Sequence, residues 1–249
     1  MLGDDLIHLL GGRIPRDSAG QRSAESALAA RLATRDRTEP LQVLDLGCGK
    51  GDSIDLFRDL APGVRWSGVD IEGSAEVGMR TREDADFHTF DGERLPFPDE
   101  HFDLVWCKQV LEHVENPRPL LADARRVLRP GGLLIGSTSQ LEPFHSRSTA
   151  NPTPYGLSLA FASAGLTTAE LRPGIDSLTL IVRRGVGGGR FCDRWWTRES
   201  PLNRVLDVYA RLRGLEPQSV NAAKLVLCGQ FVFVAERPQE RGSAGEAKA

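Results

Sequence analysis

A short apolar run that ends in closely spaced glycines and passes at once into a helical pattern leaves few folds open to a chain. Leu41-Gln-Val-Leu-Asp-Leu46 runs into Gly47-Cys-Gly-Lys-Gly51, after which Ile54, Phe57 and Leu60 recur at helical spacing. The pattern predicts strand, tight turn and helix. It then repeats, with Val64 to Asp70, Phe87 to Phe90 and Phe102 to Cys107 reading as strands. Asn116 is placed to cap a helix whose core face is Leu120, Leu121, Ala124, Val127 and Leu128, and Pro130-Gly-Gly132 ends it ahead of a strand from Leu133 to Gly136. Alternation of this kind predicts an α/β fold, a doubly wound and mostly parallel sheet with helices on both faces.

Upstream, Ala24, Ala27, Leu28, Arg31 and Leu32 set a lead-in helix within residues 21 to 35. Downstream, Thr153 and Pro154 suit the cap and first position of a helix running to Gly165. Ser177 to Val182 reads as a strand. Lys224 to Leu227 and Gln230 to Ala235 straddle Cys228-Gly229 and read as a bulged final strand, able to pair antiparallel with the one ending at Val182. Between them an excursion of about 185–223 opens with Gly185-Val-Gly-Gly-Gly189 and holds a helix from Ser200-Pro201 to Gly214. Leu202, Val205, Leu206, Tyr209 and Leu212 form its apolar stripe, read as core contact or as the cover of a pocket. The whole predicts one domain over 1–237 with a helical lead-in over 1–40, and a disordered tail over 238–249.

Charge and cysteine usage remove several functions. The 31 Lys and Arg face 34 Asp and Glu, mixed along the chain for a net charge of −3, which argues against a dedicated nucleic-acid binder. No apolar run approaches the roughly 20 residues of a membrane span. Met1-Leu-Gly-Asp-Asp has acids where a secretory signal needs bases, so a cytoplasmic location is expected. Cys48, Cys107, Cys192 and Cys228 are far apart, without zinc-site or disulfide spacing, and read as reduced, buried thiols. No set of His, Asp and Glu shows metal-ligand spacing, and no metal is expected.

The glycine turn points to a ligand, because backbone without side chains can approach one closely. Asp70 ends the next strand 19 residues beyond Gly51, where a carboxylate can accept hydrogen bonds from both hydroxyls of a ribose. A nucleoside-containing ligand is indicated. A nicotinamide dinucleotide would want G-x-G-x-x-G, but the third position here is Asp52, and a phosphate loop fails for want of G-K-[ST].

Val43-Leu-Asp-Leu-Gly-Cys-Gly-Lys-Gly51 resembles the first motif of the class I S-adenosylmethionine-dependent methyltransferases, with Lys50 where Thr or Ser is usual. The resemblance continues through Gly68-Val-Asp-Ile71, Asp91-Gly-Glu-Arg-Leu-Pro-Phe-Pro98, Phe102-Asp-Leu-Val-Trp-Cys107, Val110-Leu-Glu-His-Val114 and Leu128-Arg-Pro-Gly-Gly-Leu133. It covers about residues 41 to 140, with the motifs in family order. It implies a seven-stranded sheet of order 3-2-1-4-5-7-6, the last strand antiparallel, and S-adenosylmethionine as cofactor across the carboxyl ends of the first strands. Carried over by residue, Asp45, Gly47, Gly49 and Gly51 line the methionine moiety, Asp70 holds the ribose, and Ile71 packs on adenine. Asp91 and Gly92 meet the adenine amino edge, while Cys107 and Lys108 lie near the methionine part and the acceptor entrance.

Methyl transfer from a sulfonium needs in-line positioning and exclusion of water, and for a hydroxyl acceptor it gains from a base. Two histidines fall beyond strand ends, His113 in Leu111-Glu-His-Val and His145 in Gln140-Leu-Glu-Pro-Phe-His-Ser-Arg, and both are candidate bases. Glu142, Arg147, Asn151 and Tyr155 crowd the second segment and suit a hydroxyl-rich acceptor, and Trp195 and Trp196 offer stacking surfaces. The expected function is transfer of a methyl group to a small-molecule or glycan acceptor, at oxygen. A cofactor-binding scaffold without turnover and an NAD-dependent oxidoreductase are the alternatives.

Overall fold

The computed structural model describes residues 2–35, 39–143, 147–188 and 190–239. Within them the strands are β1 (Gln42–Leu46), β2 (Arg65–Ile71), β3 (Asp86–Phe90), β4 (Phe102–Lys108), β5 (Leu128–Ser139), β6 (Thr167–Pro173) and β7 (Gln230–Glu236). The helices are α1 (Asp4–Leu10), α2 (Ala24–Ala33), α3 (Ser53–Leu60), α4 (Ala75–Gly78), α5 (Pro117–Val127), α6 (Pro154–Ser163), α7 (Ser177–Gly185), α8 (Arg190–Asp193), α9 (Pro201–Arg213) and α10 (Pro217–Leu227). The strands form one sheet in the order β3-β2-β1-β4-β5-β7-β6. β1 to β5 pair in parallel, and β7 runs antiparallel to both of its neighbours. This is the order that the motifs imply.

Each face of the sheet has its own core, because successive strand residues point to opposite sides. Val43, Leu104, Trp106 and Ile135 meet α2 through Leu28 and Leu32, and α3 through Ile54 and Phe57. Leu44, Leu46, Val105, Cys107 and Leu134 meet the other helices, including Leu120 and Leu121 of α5, Phe161 of α6 and Leu225 of α10. The helix starts follow their capping residues. Ser23 and Ser26 form a reciprocal capping box at α2, the Asn116 side chain accepts from Arg118 N, and Thr153 accepts from Gly156 N.

The carboxyl-terminal third departs from the expectations. Ser177 to Val182 is helix α7, and not a strand. The buried Asp176 carboxylate accepts from Thr179 N at 2.7 Å and Thr179 Oγ1 at 2.9 Å, and it also accepts from Leu202 N in the first turn of α9 at 3.1 Å. One carboxylate thus starts two helices, which outweighs the strand preference of the aliphatic run. The strand next to β7 is instead Thr167–Pro173, hidden in sequence by Glu170 and Arg172. The Arg172 guanidinium is buried against Asp17 at 2.8 and 2.9 Å and against Glu170.

Lys224 to Leu227 is likewise not strand but the last turn of α10, and only Gln230 to Glu236 joins the sheet. Lys224 is fully buried, with its ammonium between Glu199 and Asp207 Oδ1, the latter at 2.7 Å. Pro130-Gly131-Gly132 lies inside β5, where the pairing with β4 shifts register between Phe102 and Leu104. Finally, the α9 stripe is core contact only in part. Leu202 and Leu206 are half-buried, but Val205, Tyr209 and Leu212 are exposed, as is Val208, while Asn203 and Ala210 face inward. Residues 240–249 lie outside the described residues.

Candidate functional site at the carboxyl edge of the sheet

The turn after β1 is held from below by β2, with Gly47 N and Cys48 N donating to Val69 O at 2.8 and 3.1 Å. Gly47, Gly49 and Gly51 have φ of +74°, +49° and +85°, a region that side chains disfavour. A Cβ on Gly47 would lie 2.4 Å from Val110 Cγ2, and one on Gly51 would lie 2.8 Å from Phe87 Cζ. These two glycines are therefore demanded by backbone conformation and by protein neighbours. Space for a ligand, the reason drawn from sequence, is not what the contacts display. Arg80 completes the turn by donating to Gly49 O from Nε at 3.0 Å and from its terminal nitrogen at 2.7 Å, with its guanidinium 3.8 Å from the centre of the Phe87 ring.

Asp70, at the carboxyl end of β2, accepts from Gly49 N at 2.7 Å and Ile71 N at 2.8 Å, one bond to each oxygen. A carboxylate oxygen has two lone pairs, so each oxygen keeps one for a hydroxyl. Beside it Ile71 is 45% exposed, an apolar shelf at a strand end, and Gly92 lies against it with φ +94°. Asp91 caps its own turn by accepting from Glu93 N and Arg94 N, both at 2.8 Å, which holds its carboxyl below the usual range. On β1, Asp45 is buried and accepts from Ser53 Oγ at 2.5 Å. Burial pushes its carboxyl up to about 7, against the pull of the Ser53 hydrogen bond and with the help of the Asp70 charge.

Cys107 and Lys108 were expected together, but strand alternation separates their side chains. Cys107 is wholly buried in the core on the α5 side, where burial pushes its thiol well up. Lys108 is on the α2 side, two residues beyond Trp106, the strand partner of Asp45. Its Nζ meets Glu25 Oε1 at 2.5 Å, and both residues line a cavity of about 200 Å³ over the carboxyl ends of β4 and β5 and the start of β7. Arg22, Ser137, Trp196 and Gln230 also line it, over a floor that includes Ile175, Phe231 and Val232. Burial raises the Glu25 carboxyl, and the Lys108 hydrogen bond and charge more than offset this, so it stays below its ordinary value.

Gln109 makes the corner after β4 with φ +57°, rare for a residue with a side chain. Its N donates to Ser137 O at 2.8 Å and its Nε2 to Ser137 Oγ at 3.1 Å, which fixes the strained conformation. The corner leaves Lys108 on the cavity and sets Val110 on Gly47.

Of the two candidate bases, His145 lies outside the described residues. His113 is half-buried in the short 3-10 turn Leu111–His113. Its neighbour Glu112 ties that turn to the segment beyond residue 146, because Glu112 O accepts from Thr149 N at 2.7 Å and Ala150 N at 3.2 Å. The Glu112 carboxylate is buried and accepts from Thr138 Oγ1 at 2.9 Å. Burial raises it above the usual range. Glu142 is buried and accepts from Ser139 Oγ at 2.7 Å, Gln230 Nε2 at 2.6 Å and Arg184 at 3.1 Å. Asn151 donates to Glu142 O at 3.1 Å, and Arg147 and Tyr155 are exposed. Trp195 is spent on protein contacts, under the Arg194 and Arg204 guanidinium groups, and only Trp196 of the pair reaches the cavity.

Glu25, Arg80 and Gln109 are absent from the sequence-derived candidates. Glu25 and Arg80 meet their partners across 83 and 31 residues, separations that no local pattern encodes. Gln109 has a local signal only in hindsight, a polar residue just past a strand end. Among the described residues no group of three His, Cys, Asp or Glu is placed to hold a metal ion, and no helix is long and apolar enough to cross a membrane. The four cysteines are free and buried.

Residues 44–136 match the family model of a methyltransferase domain. A protein of Mycolicibacterium smegmatis described as a probable S-adenosylmethionine-dependent methyltransferase is 31% identical over 182 residues, 64% of this chain and 68% of that one. The 27-O-demethylrifamycin SV methyltransferase of Amycolatopsis mediterranei is 34% identical over 158 residues, so the match spans little more than half of each protein, 56%. The crystal structure of the [4+2]-cyclase SpnF shares the fold, with a TM-score of 0.54 at 19% identity over 94% of this chain and 91% of that one.

Proposed function

The chain belongs to the S-adenosylmethionine-dependent methyltransferases, and on that premise we propose that it methylates a small-molecule or glycan acceptor, at oxygen, in the cavity beside Lys108. The observation that carries this reading is the strand geometry. Asp45 pairs with Trp106, and Lys108 follows two residues later on the same sheet face, so the glycine turn and the cavity adjoin.

The residues present fit the cofactor. Asp70 keeps a free lone pair on each oxygen for the ribose, and the exposed Ile71 gives adenine an apolar face. Gly47, Gly49 and Gly51 present backbone to the methionine part, and Asp45 sets a buried carboxylate near its charge. Asp91 and Gly92 border the adenine edge. Bound there, the cofactor supplies a methyl group on a positively charged sulfur, already joined to a good leaving group. The protein's part is to aim the acceptor and keep water out. Trp196, Ile175 and Phe231 wall the acceptor, and Lys108, Glu25, Ser137 and Gln230 give it polar contacts. His113 and His145 are the candidate bases for a hydroxyl proton, His113 on the turn that Glu112 ties to Thr149 and Ala150.

The relative from Amycolatopsis mediterranei, named for methylation at a 27-O position, favours oxygen and a small molecule. The SpnF match keeps open a second reading, a cofactor-binding protein whose cavity serves other chemistry, since a cyclase is built on the same fold. Calorimetric titration with S-adenosylmethionine and S-adenosylhomocysteine, with NAD as control, separates the possibilities. Micromolar binding of the adenosyl pair and not NAD, followed by methyl transfer in a screen of hydroxylated small molecules and glycosides, is the expected result. Adenosyl binding without turnover on any acceptor points to the second reading, and no adenosyl binding by folded protein defeats both.

A further inference from the structure

The helices α7 and α9 are in contact, and each turns an apolar stripe outward. On α7 and the turn after it the stripe is Leu178, Ile181, Val182 and Val186, and on α9 it is Val205, Val208, Tyr209 and Leu212. Both follow the i, i+3, i+4 spacing that usually marks the buried side of a helix. Here that side faces solvent, with Leu212 81% exposed and Val186 and Val205 each 63%. The inward side of α9 carries polar anchors beside Ala210. Asn203 donates to Gly174 O at 3.0 Å, and Asp207 holds the buried Lys224.

The charge around these stripes is one-sided. Eight arginines and three acids lie between Ser177 and Leu215, an excess of five positive charges in a chain whose net charge is −3. The three acids face partners within the protein, Asp193 meeting Arg183, and Glu199 and Asp207 meeting Lys224. Arg204, Arg211 and Arg213 make no ion pair with a described residue, and the Arg213 guanidinium lies 6.0 Å over the ring of the exposed Tyr209.

We propose that the α7–α9 face docks on the surface of an anionic phospholipid bilayer. Exposed aliphatic side chains among arginines are what an interfacial helix presents, the first entering the headgroup boundary and the second meeting lipid phosphates. The two other occupants fit less well. A two-fold contact between copies would bring Arg204, Arg211 and Arg213 against the same residues of the second copy. Residues 240–249 contain no large aliphatic or aromatic residue with which to cover the stripes. Trp196 and Thr197, which line the cavity, lie between α7 and α9 in the chain.

The test is flotation of the full chain with vesicles of phosphatidylglycerol and phosphatidylcholine, and with phosphatidylcholine vesicles alone. The protein should float with the anionic vesicles and detach at high salt. Val205→Ser, Val208→Ser and Leu212→Ser together should weaken partition at least about tenfold with the melting curve unchanged. Arg204→Gln, Arg211→Gln and Arg213→Gln together should weaken it on the order of a hundredfold, about fivefold for each charge. Failure to float, equal partition onto neutral vesicles, or partition untouched by both variants overturns the proposal. So does a dimer in sedimentation velocity that the Ser variant abolishes while no vesicle binding is found.

Discussion

Lys108, the last residue of β4, holds Glu25 in the first turn of α2 by a 2.5 Å contact between Nζ and Oε1. The pair joins the lead-in helix to the carboxyl edge of the sheet and forms part of the cavity wall. Both side chains are more than a third exposed, so the pair contributes little to stability, within about 1 kcal/mol. Its removal should act on the site. Glu25→Gln is expected to leave the melting temperature and cofactor affinity near those of the wild type, to raise acceptor KM about tenfold, and to speed hydrogen exchange at Ser23 to Glu25. Unchanged exchange there would show that the contact does not hold the helix.

Asp45 is an acid whose folded-state pKa, about 7, lies above its ordinary value. The folded protein therefore binds the proton more tightly than the unfolded chain. The stability this gives is full below about pH 4 and is lost as pH rises toward and through 7. Asp45→Asn removes that loss, and the variant should gain about 2–4 kcal/mol over the wild type at pH 8 and much less at pH 4. Urea unfolding at the two pH values checks this. The same variant should bind S-adenosylmethionine about tenfold more weakly while affecting S-adenosylhomocysteine less, because only the former carries the sulfonium charge. Equal losses for both ligands would place Asp45 away from the sulfur.

Gly47 combines φ of +74° with a Cβ position 2.4 Å from Val110 Cγ2. Gly47→Ala is expected to cost about 2–4 kcal/mol, from left-handed backbone strain and overpacking together. Val110→Ala in the same chain should recover the overpacking part and leave a residual of about 1 kcal/mol. Chemical denaturation of the single and double variants measures both. A double variant no more stable than Gly47→Ala would show that the contact with Val110 is not the source of the cost.

Lys224 is a buried cation held by two carboxylates of the α9 region. Lys224→Met strands Glu199 and Asp207 and should destabilise by about 3 kcal/mol. Adding Glu199→Gln and Asp207→Asn should restore much of the loss. A thermal melt of the single and triple variants tests whether this network, and not apolar packing, seats α9 with its stripe outward.

Much of the fold was legible in the sequence because its signals are local. The strand, glycine turn and helix from Leu41 to Leu60, the caps at Asn116 and Thr153, and the run of strands to β5 depend on residues within a few positions of one another. What misled was equally local. Ser177 to Val182 looks like a strand and Lys224 to Leu227 like another, but a buried Asp176 capped the first as helix and a buried Lys224 anchored the second in α10. β6 was hidden because its Arg172 finds Asp17 some 155 residues away.

The same division runs through the site. The glycine turn and Asp70 were legible from the residues themselves, and the resemblance of short motifs to the methyltransferases added Asp45, Ile71, Asp91, Gly92 and Lys108 as candidates. Only the tertiary structure turned Cys107 into the core and Glu142 into an internal network, set Glu25, Arg80 and Gln109 into the site, and left the α9 stripe exposed. A strand presents alternate residues to opposite faces, and the sheet order decides which face meets the cavity. A helical stripe states that one side is apolar and leaves its direction to partners far away in sequence, here Lys224 and Gly174, which drew the polar side of α9 inward.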